Sequence, residues 1–225
     1  MSQLPLGLVL PPRLGRDDFL VAPTNRAAYA AIERWPDWPH PVLLLVGPAG
    51  SGKTHLAHIW AERADAGAIE EPDDAAQSLG GAAAFIDDAD RRAIPEPAFF
   101  HLLNMMQHAG RPLLITGRVP PDRWGIATAD VVSRLRLAPM VTIEPPDDDL
   151  VRAVLVKLFD DRQIRVDATL IDYLALRLDR SLAAIRHAVE MLDRAGLSRG
   201  RKITRGMAAD LLAQLRDGGS DDEAT

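Results

Sequence analysis

The chain has 225 residues, enough for one sizeable core or for one domain with a small one appended. Hydrophobic residues make up 47% and charged residues 26%, and a net charge of −6 supplies no global positive field toward nucleic acid. There are no cysteines, which excludes disulfides and thiol chemistry and fits a cytoplasmic setting. The longest apolar run, Val42 to Val46, is far too short to cross a bilayer, and no basic residue precedes the apolar N-terminal stretch, so neither a membrane span nor a secretory signal is expected.

The first twenty residues are punctuated by Pro and Gly and are predicted to be extended. A helix is predicted from Thr24 to Trp35, capped by Thr24 or Asn25 and ended by Pro36. Short apolar runs then alternate with helical stretches. Val42–Val46, Ala83–Asp87, Leu113–Gly117 and Met140–Ile143 are predicted strands, with helices near Lys53–Ala64 and Glu96–Ala109. This alternation implies an α/β domain whose parallel sheet is covered on both faces, placed at residues 16–144.

After Glu144 the pattern becomes helical. Leu150, Val154, Leu155, Leu158 and Phe159 form one stripe, and Leu182, Ile185, Val189 and Leu192 form another. Ser181 is placed as a cap, Gly196 as a helix stop, and Thr204 as the cap of a last helix carrying Met207, Leu211 and Leu215. A small helical domain is therefore expected at residues 145–216, with a polar, disordered tail at 217–225. The basic cluster Arg199, Arg201, Lys202 and Arg205 is taken as a solvated helix end.

Gly47-x4-Gly52-Lys53-Thr54 follows a predicted strand and opens a helix, the context a phosphate-binding loop requires. Its glycines let backbone N–H groups turn inward as an anion nest, and the helix N-terminus adds partial positive charge. Lys53 would meet the outer phosphates, and Thr54 would ligate Mg²⁺. In FIDD, Asp87 ends a strand and would hold Mg²⁺ through water; Asp88 would orient or deprotonate an attacking water. Thr116, ending the LLIT run, would touch the outermost phosphate from the neighbouring strand.

GKTHLAH, FIDD, ITGR and SRLRLAPMVTIEPPDDD together resemble the AAA+ ATPases related to the bacterial replication initiator DnaA, and among these the homologous regulators that inactivate the initiator. The resemblance spans Gln3 to about Leu215. It implies a P-loop domain with a parallel five-stranded sheet and an all-helical lid. ATP or ADP with Mg²⁺ would be held by Gly47, Pro48, Ala49, Gly50, Ser51, Gly52, Lys53, Thr54 and His55, with Leu20 and Val21 in the FLVAPTN segment wrapping the adenine. Asp87 and Asp88 would be the Walker B acids, Thr116 the first sensor, and Arg134 an arginine finger reaching a neighbouring subunit's nucleotide; Arg136 is the competing candidate. Initiators carry a second-sensor Arg where this chain has Ala184, and Arg180, one helical turn earlier, is the candidate substitute, with Arg186 on another face. Ala138-Pro139 also departs from the glycine that initiators tend to place after the finger. Own-site hydrolysis is thus expected to be weak or absent.

Initiators continue past the lid into a helix-turn-helix domain, whereas this chain ends there, so no direct sequence-specific DNA binding is expected. Gln3, Leu4, Pro5, Leu6 and Leu8 resemble the peptide that docks proteins on the DNA polymerase III β sliding clamp, with Gln at a pocket rim and leucines in apolar subsites. The resemblance therefore implies a clamp-bound negative regulator acting on ATP held by DnaA, with homodimerisation left open. The alternative is a helicase-loader-like ATPase acting on single-stranded DNA.

Overall fold

The computed structural model describes residues 14–70, 83–199 and 202–218. The clamp-docking residues Gln3, Leu4, Pro5, Leu6 and Leu8 lie outside them. The chain divides into two compact units between Pro145 and Pro146.

In the first unit, β1 (Val42–Val46), β2 (Ala66–Ala68), β3 (Ala83–Ile86), β4 (Leu113–Gly117) and β5 (Met140–Thr142) form one sheet in the order β2-β3-β4-β1-β5. Every pairing is parallel. All five residues of β1 are buried, and the strand period of two splits the first four between two cores. Val42 and Leu44 join Leu113, Ile115 and Ile86 beneath α3 (Glu96–His108) and α4 (Ala129–Leu137). Leu43 and Leu45 join Leu114 and Phe85 beneath α1 (Arg26–Glu33) and α2 (Lys53–Ala64), with Ile32 and Trp60 filling that side. Strands buried on both faces read as unbroken apolar runs, which is why VLLLV and AAFI stand out in the sequence.

Several details differ from the sequence expectation, among them β3, which ends at Ile86 and not at Asp87. β2 is unforeseen: Ala-Gly-Ala has little intrinsic strand preference and is a strand because its backbone pairs with β3. β5 ends at Thr142, although the Ile143 N–H still donates to the Val46 carbonyl at 2.7 Å. α1 begins at Arg26 after Asn25, whose side chain caps no helical N–H.

The second unit contains α5 (Asp148–Asp161), α6 (Ala168–Ala175), α7 (Leu182–Arg199) and α8 (Arg205–Gly218), with no strand among the described residues. Val151, Leu155, Phe159, Leu174, Ile185, Val189, Leu192 and Leu211 share one core. Asp147 caps α5, its carboxylate accepting the Leu150 N–H at 2.8 Å, while Ser181 and Thr204 accept the Ala184 and Met207 N–H groups at 3.4 Å. Gly196 does not stop α7, which continues to Arg199. A helical glycine costs about 1 kcal/mol, and burial of Val189 and Leu192 on the same helix, with Ala195 partly buried against that core, outweighs it. α8 runs to Gly218, two residues into the expected tail. In the basic cluster, Arg205 is not simply solvated: its guanidinium lies 4.6 Å from the Tyr173 ring centroid, with Arg177 at 4.2 Å from the same ring.

Candidate nucleotide site

β1 delivers the chain to Gly47, whose N–H donates to the Gly117 carbonyl at 3.1 Å. No side chain fits here, because a Cβ would lie 2.6 Å from the Ile143 carbonyl oxygen and 2.9 Å from Ser51 Oγ. Gly50 and Gly52 have φ of 69° and 103°, which glycine reaches without steric cost. α2 then starts at Lys53 with no acidic residue of its own in its first turn, so the partial positive charge of its N-terminus adds to that of Lys53 at the loop. Pro48 and Ala49 are exposed at the rim of the loop.

Lys53 is buried, and its Nζ donates to the carbonyls of Gly47 and Pro48 at 2.9 and 3.0 Å. Burial pushes its pKa below the ordinary value, and Asp88 and Asp87 partly oppose that. Ser51 is also buried, and its Oγ has no protein partner among the described residues. A buried cation bonded to neutral oxygens and an orphaned hydroxyl both fit an anion in this loop.

The Thr54 hydroxyl donates to one oxygen of Asp87 at 2.8 Å, and the buried Thr116 hydroxyl donates to the other at 2.6 Å. The register sets Thr116 opposite Leu45 of β1, beside the loop strand. Thr116 Oγ1 also accepts the Asp88 N–H at 2.9 Å, which fixes Asp88 in a left-handed conformation at φ 48°. Asp88 lies 3.9 Å from Lys53 Nζ and 3.6 Å from Arg118 Nη2. Lys53, Thr54, Asp87, Asp88 and Thr116 therefore converge at the carboxyl ends of β1, β3 and β4, where such sheets bind ligands.

The FLVAPTN segment is held from within. Asn25, only 2% exposed, accepts the Ala22 N–H at 2.8 Å and donates to the Leu20 carbonyl at 2.9 Å. Val21 is left 47% exposed. The His55 imidazole turns toward the Gly15 carbonyl at 2.9 Å and packs edge-on to Phe19.

Arg134, on α4, lies over the Phe100 ring at 4.4 Å and donates to the Asn104 side-chain oxygen at 2.7 Å and the Asp130 carbonyl at 3.1 Å. These partners are neutral, and no carboxylate among the described residues pairs with it. Arg136 is instead paired with Asp122 at 2.8 Å. In the helical unit, Arg180 pairs with Asp148 at 2.8 Å.

Three contributors escape the sequence. Arg118 follows directly on Thr116 and Gly117, so its position was visible as a cation at a strand's carboxyl end. Asn104 carried no signal. Glu96 accepts the Ala127 and Thr128 N–H groups at 2.8 and 2.7 Å, together with the Thr128 hydroxyl, and so fixes the start of α4.

No family model matches the chain. It is 24% identical over 245 residues to the chromosomal replication initiator protein DnaA of Enterococcus faecalis (strain ATCC 700802 / V583). That match covers 94% of this chain and 54% of the relative, so the chain spans about half that protein's length. Domain III of DnaA from Thermotoga maritima superposes with a TM-score of 0.78 at 21% identity, over 91% of this chain and 98% of that one. AMPPCP-bound DnaA from Aquifex aeolicus gives 0.69 at 19% identity, over 84% and 68%. The RuvB Holliday junction branch migration motor of Thermotoga maritima gives 0.61 at 18%, over 85% and 67%. The fold is that of the AAA+ P-loop ATPases. Within them it has the form of DnaA domain III.

Proposed function

We propose that this chain is a regulator of the Hda type, holding an adenine nucleotide as a shape-setting ligand and stimulating hydrolysis of ATP bound to DnaA. The loop geometry, buried Lys53 and orphaned Ser51 hydroxyl support nucleotide binding, and similarity to AMPPCP-bound DnaA supports an adenine nucleotide. Thr54 and Asp87 offer the hard oxygens that Mg²⁺ prefers, the remaining ligands being phosphates and water. When bound, Mg-nucleotide would present its phosphates to the loop and to Lys53, with Thr54 and Thr116 already positioned by their hydrogen bonds to Asp87. Arg180 would serve the nucleotide in place of the Arg missing at Ala184, and to do so it must give up its 2.8 Å pairing with Asp148. Gln3, Leu4, Pro5, Leu6 and Leu8 would tether the protein to the β sliding clamp, and DnaA is the partner on which Arg134 acts.

The observation that carries the in-trans role is the state of Arg134. Its guanidinium rests on an aromatic ring and neutral oxygens, so its charge is not spent on a carboxylate, whereas that of Arg136 is. A permanent planar cation can stabilise charge developing during phosphoryl transfer, and such fingers are worth about 10³–10⁵ in rate. To reach a neighbour's phosphate, Arg134 leaves Asn104 and Phe100.

The test follows hydrolysis of radiolabelled ATP prebound to DnaA, with this chain, the clamp and DNA each present or omitted. Stimulation is expected only with all components, and Arg134→Ala should lower it by about 10³. Undiminished stimulation by that variant would remove the finger assignment. Turnover by this chain alone, rising with single-stranded DNA, would favour a helicase-loader-like ATPase.

A further inference from the structure

Asp88 sits between two cations: Lys53 Nζ is 3.9 Å from one carboxylate oxygen, and Arg118 Nη2 is 3.6 Å from the other. The carboxylate thus bridges the loop lysine to a guanidinium at the end of β4. Neither contact is a tight charge-assisted hydrogen bond, which would measure about 2.7–2.9 Å. Arg118 is 35% exposed, yet its Nε is buried with no partner among the described residues. A partly exposed planar cation that holds its carboxylate only loosely through Nη2, one carboxylate away from the loop lysine, matches a phosphoryl oxygen better than the partner it has.

We propose that Arg118 reads the outermost phosphate, binding a nucleoside triphosphate but contributing nothing to a diphosphate. This rests on the nucleotide reading of Lys53. When a third phosphate is present, the guanidinium exchanges Asp88 for phosphoryl oxygens and frees the carboxylate. When only two are present, nothing competes, and Asp88 stays paired. One exchange of partners thereby ties the charge state around Asp88 to which nucleotide is bound, while Thr116 and the left-handed backbone keep Asp88 in place.

The test is calorimetric titration of the full chain with Mg-ADP and with a non-hydrolysable Mg-ATP analogue. Arg118→Ala should weaken the triphosphate analogue by about tenfold while ADP stays within about twofold, and Arg118→Lys should recover part of the loss. The loss should persist in an Asp88→Asn background, because the contact is to phosphate itself. Equal losses for both nucleotides, no loss, or a loss that vanishes with Asp88→Asn would overturn the assignment. If wild-type protein binds neither nucleotide, the nucleotide reading falls as well; binding of both with unchanged discrimination removes Arg118 alone.

Discussion

Thr54 and Asp87 stand 33 residues apart and share a 2.8 Å hydrogen bond that joins the first turn of α2 to the end of β3. The same two oxygen-bearing side chains are the proposed Mg²⁺ ligands, and their hydrogen bond fixes their spacing. Replacing Thr54 with Val removes one ligand and leaves the β-branched shape. The variant should lose the Mg²⁺ dependence of nucleotide affinity, about tenfold or more in wild type, as read by titration with and without magnesium.

Lys53 is the residue on which stability and ligand binding pull in opposite directions. Its charge is buried, and burial lowers its pKa, so the fold holds that charge at a cost. Lys53→Met should therefore raise the stability of the nucleotide-free protein by about 0.5–2 kcal/mol while removing nucleotide binding. Urea melts and nucleotide titrations of the same sample check both halves. Destabilisation of the empty variant would contradict the charge argument.

Glu96 gives the fold an acid-sensitive clasp on α4. Its pKa is held below the usual carboxylate range chiefly by the Thr128 hydroxyl, then by the Ala127 and Thr128 N–H groups. A depressed carboxylate contributes stability above its ordinary value, and that contribution is lost as pH falls through the depressed one. Glu96→Gln should melt below wild type near neutral pH, with the gap closing as the solution is acidified below the ordinary carboxylate range. A gap that stays constant with pH would show that Glu96 contributes shape alone.

Asn104 holds Arg134 at rest on its own subunit. If Arg134 acts in trans, Asn104→Ala removes a contact worth about 1 kcal/mol in the resting position. The population able to reach out then rises about fivefold. Stimulation of DnaA-bound ATP hydrolysis should rise at limiting protein, with the melting temperature nearly unchanged. A fall to the Arg134→Ala level would instead mean that Asn104 aims the finger.

Legibility followed the physics of each feature. β1, β3 and β4 are buried on both faces, so their residues had to be apolar, and they stood out as VLLLV, AAFI and LLIT. The phosphate loop declared itself through its glycines, because Gly47 admits no Cβ and Gly50 and Gly52 need positive φ. β2 was invisible because it is made by backbone pairing of Ala and Gly to β3. Gly196 misled because the packing around α7 outweighs local propensity. Asn104 and Glu96 could not be found either, since each acts on a residue about thirty positions away, on another helix or loop.

The Lys53 ammonium is held by the carbonyls of Gly47 and Pro48, so the loop's own backbone positions the charge that the proposed phosphates would meet. On the nucleotide reading, binding would need only a swing of this one flexible side chain from the two carbonyls to phosphate oxygens, because Gly47 and the positive-φ glycines Gly50 and Gly52 set the loop's backbone themselves. Uptake should then be quick and leave peptide amide exchange along 47–52 nearly unchanged, a signature quite unlike that of a loop folding around its guest.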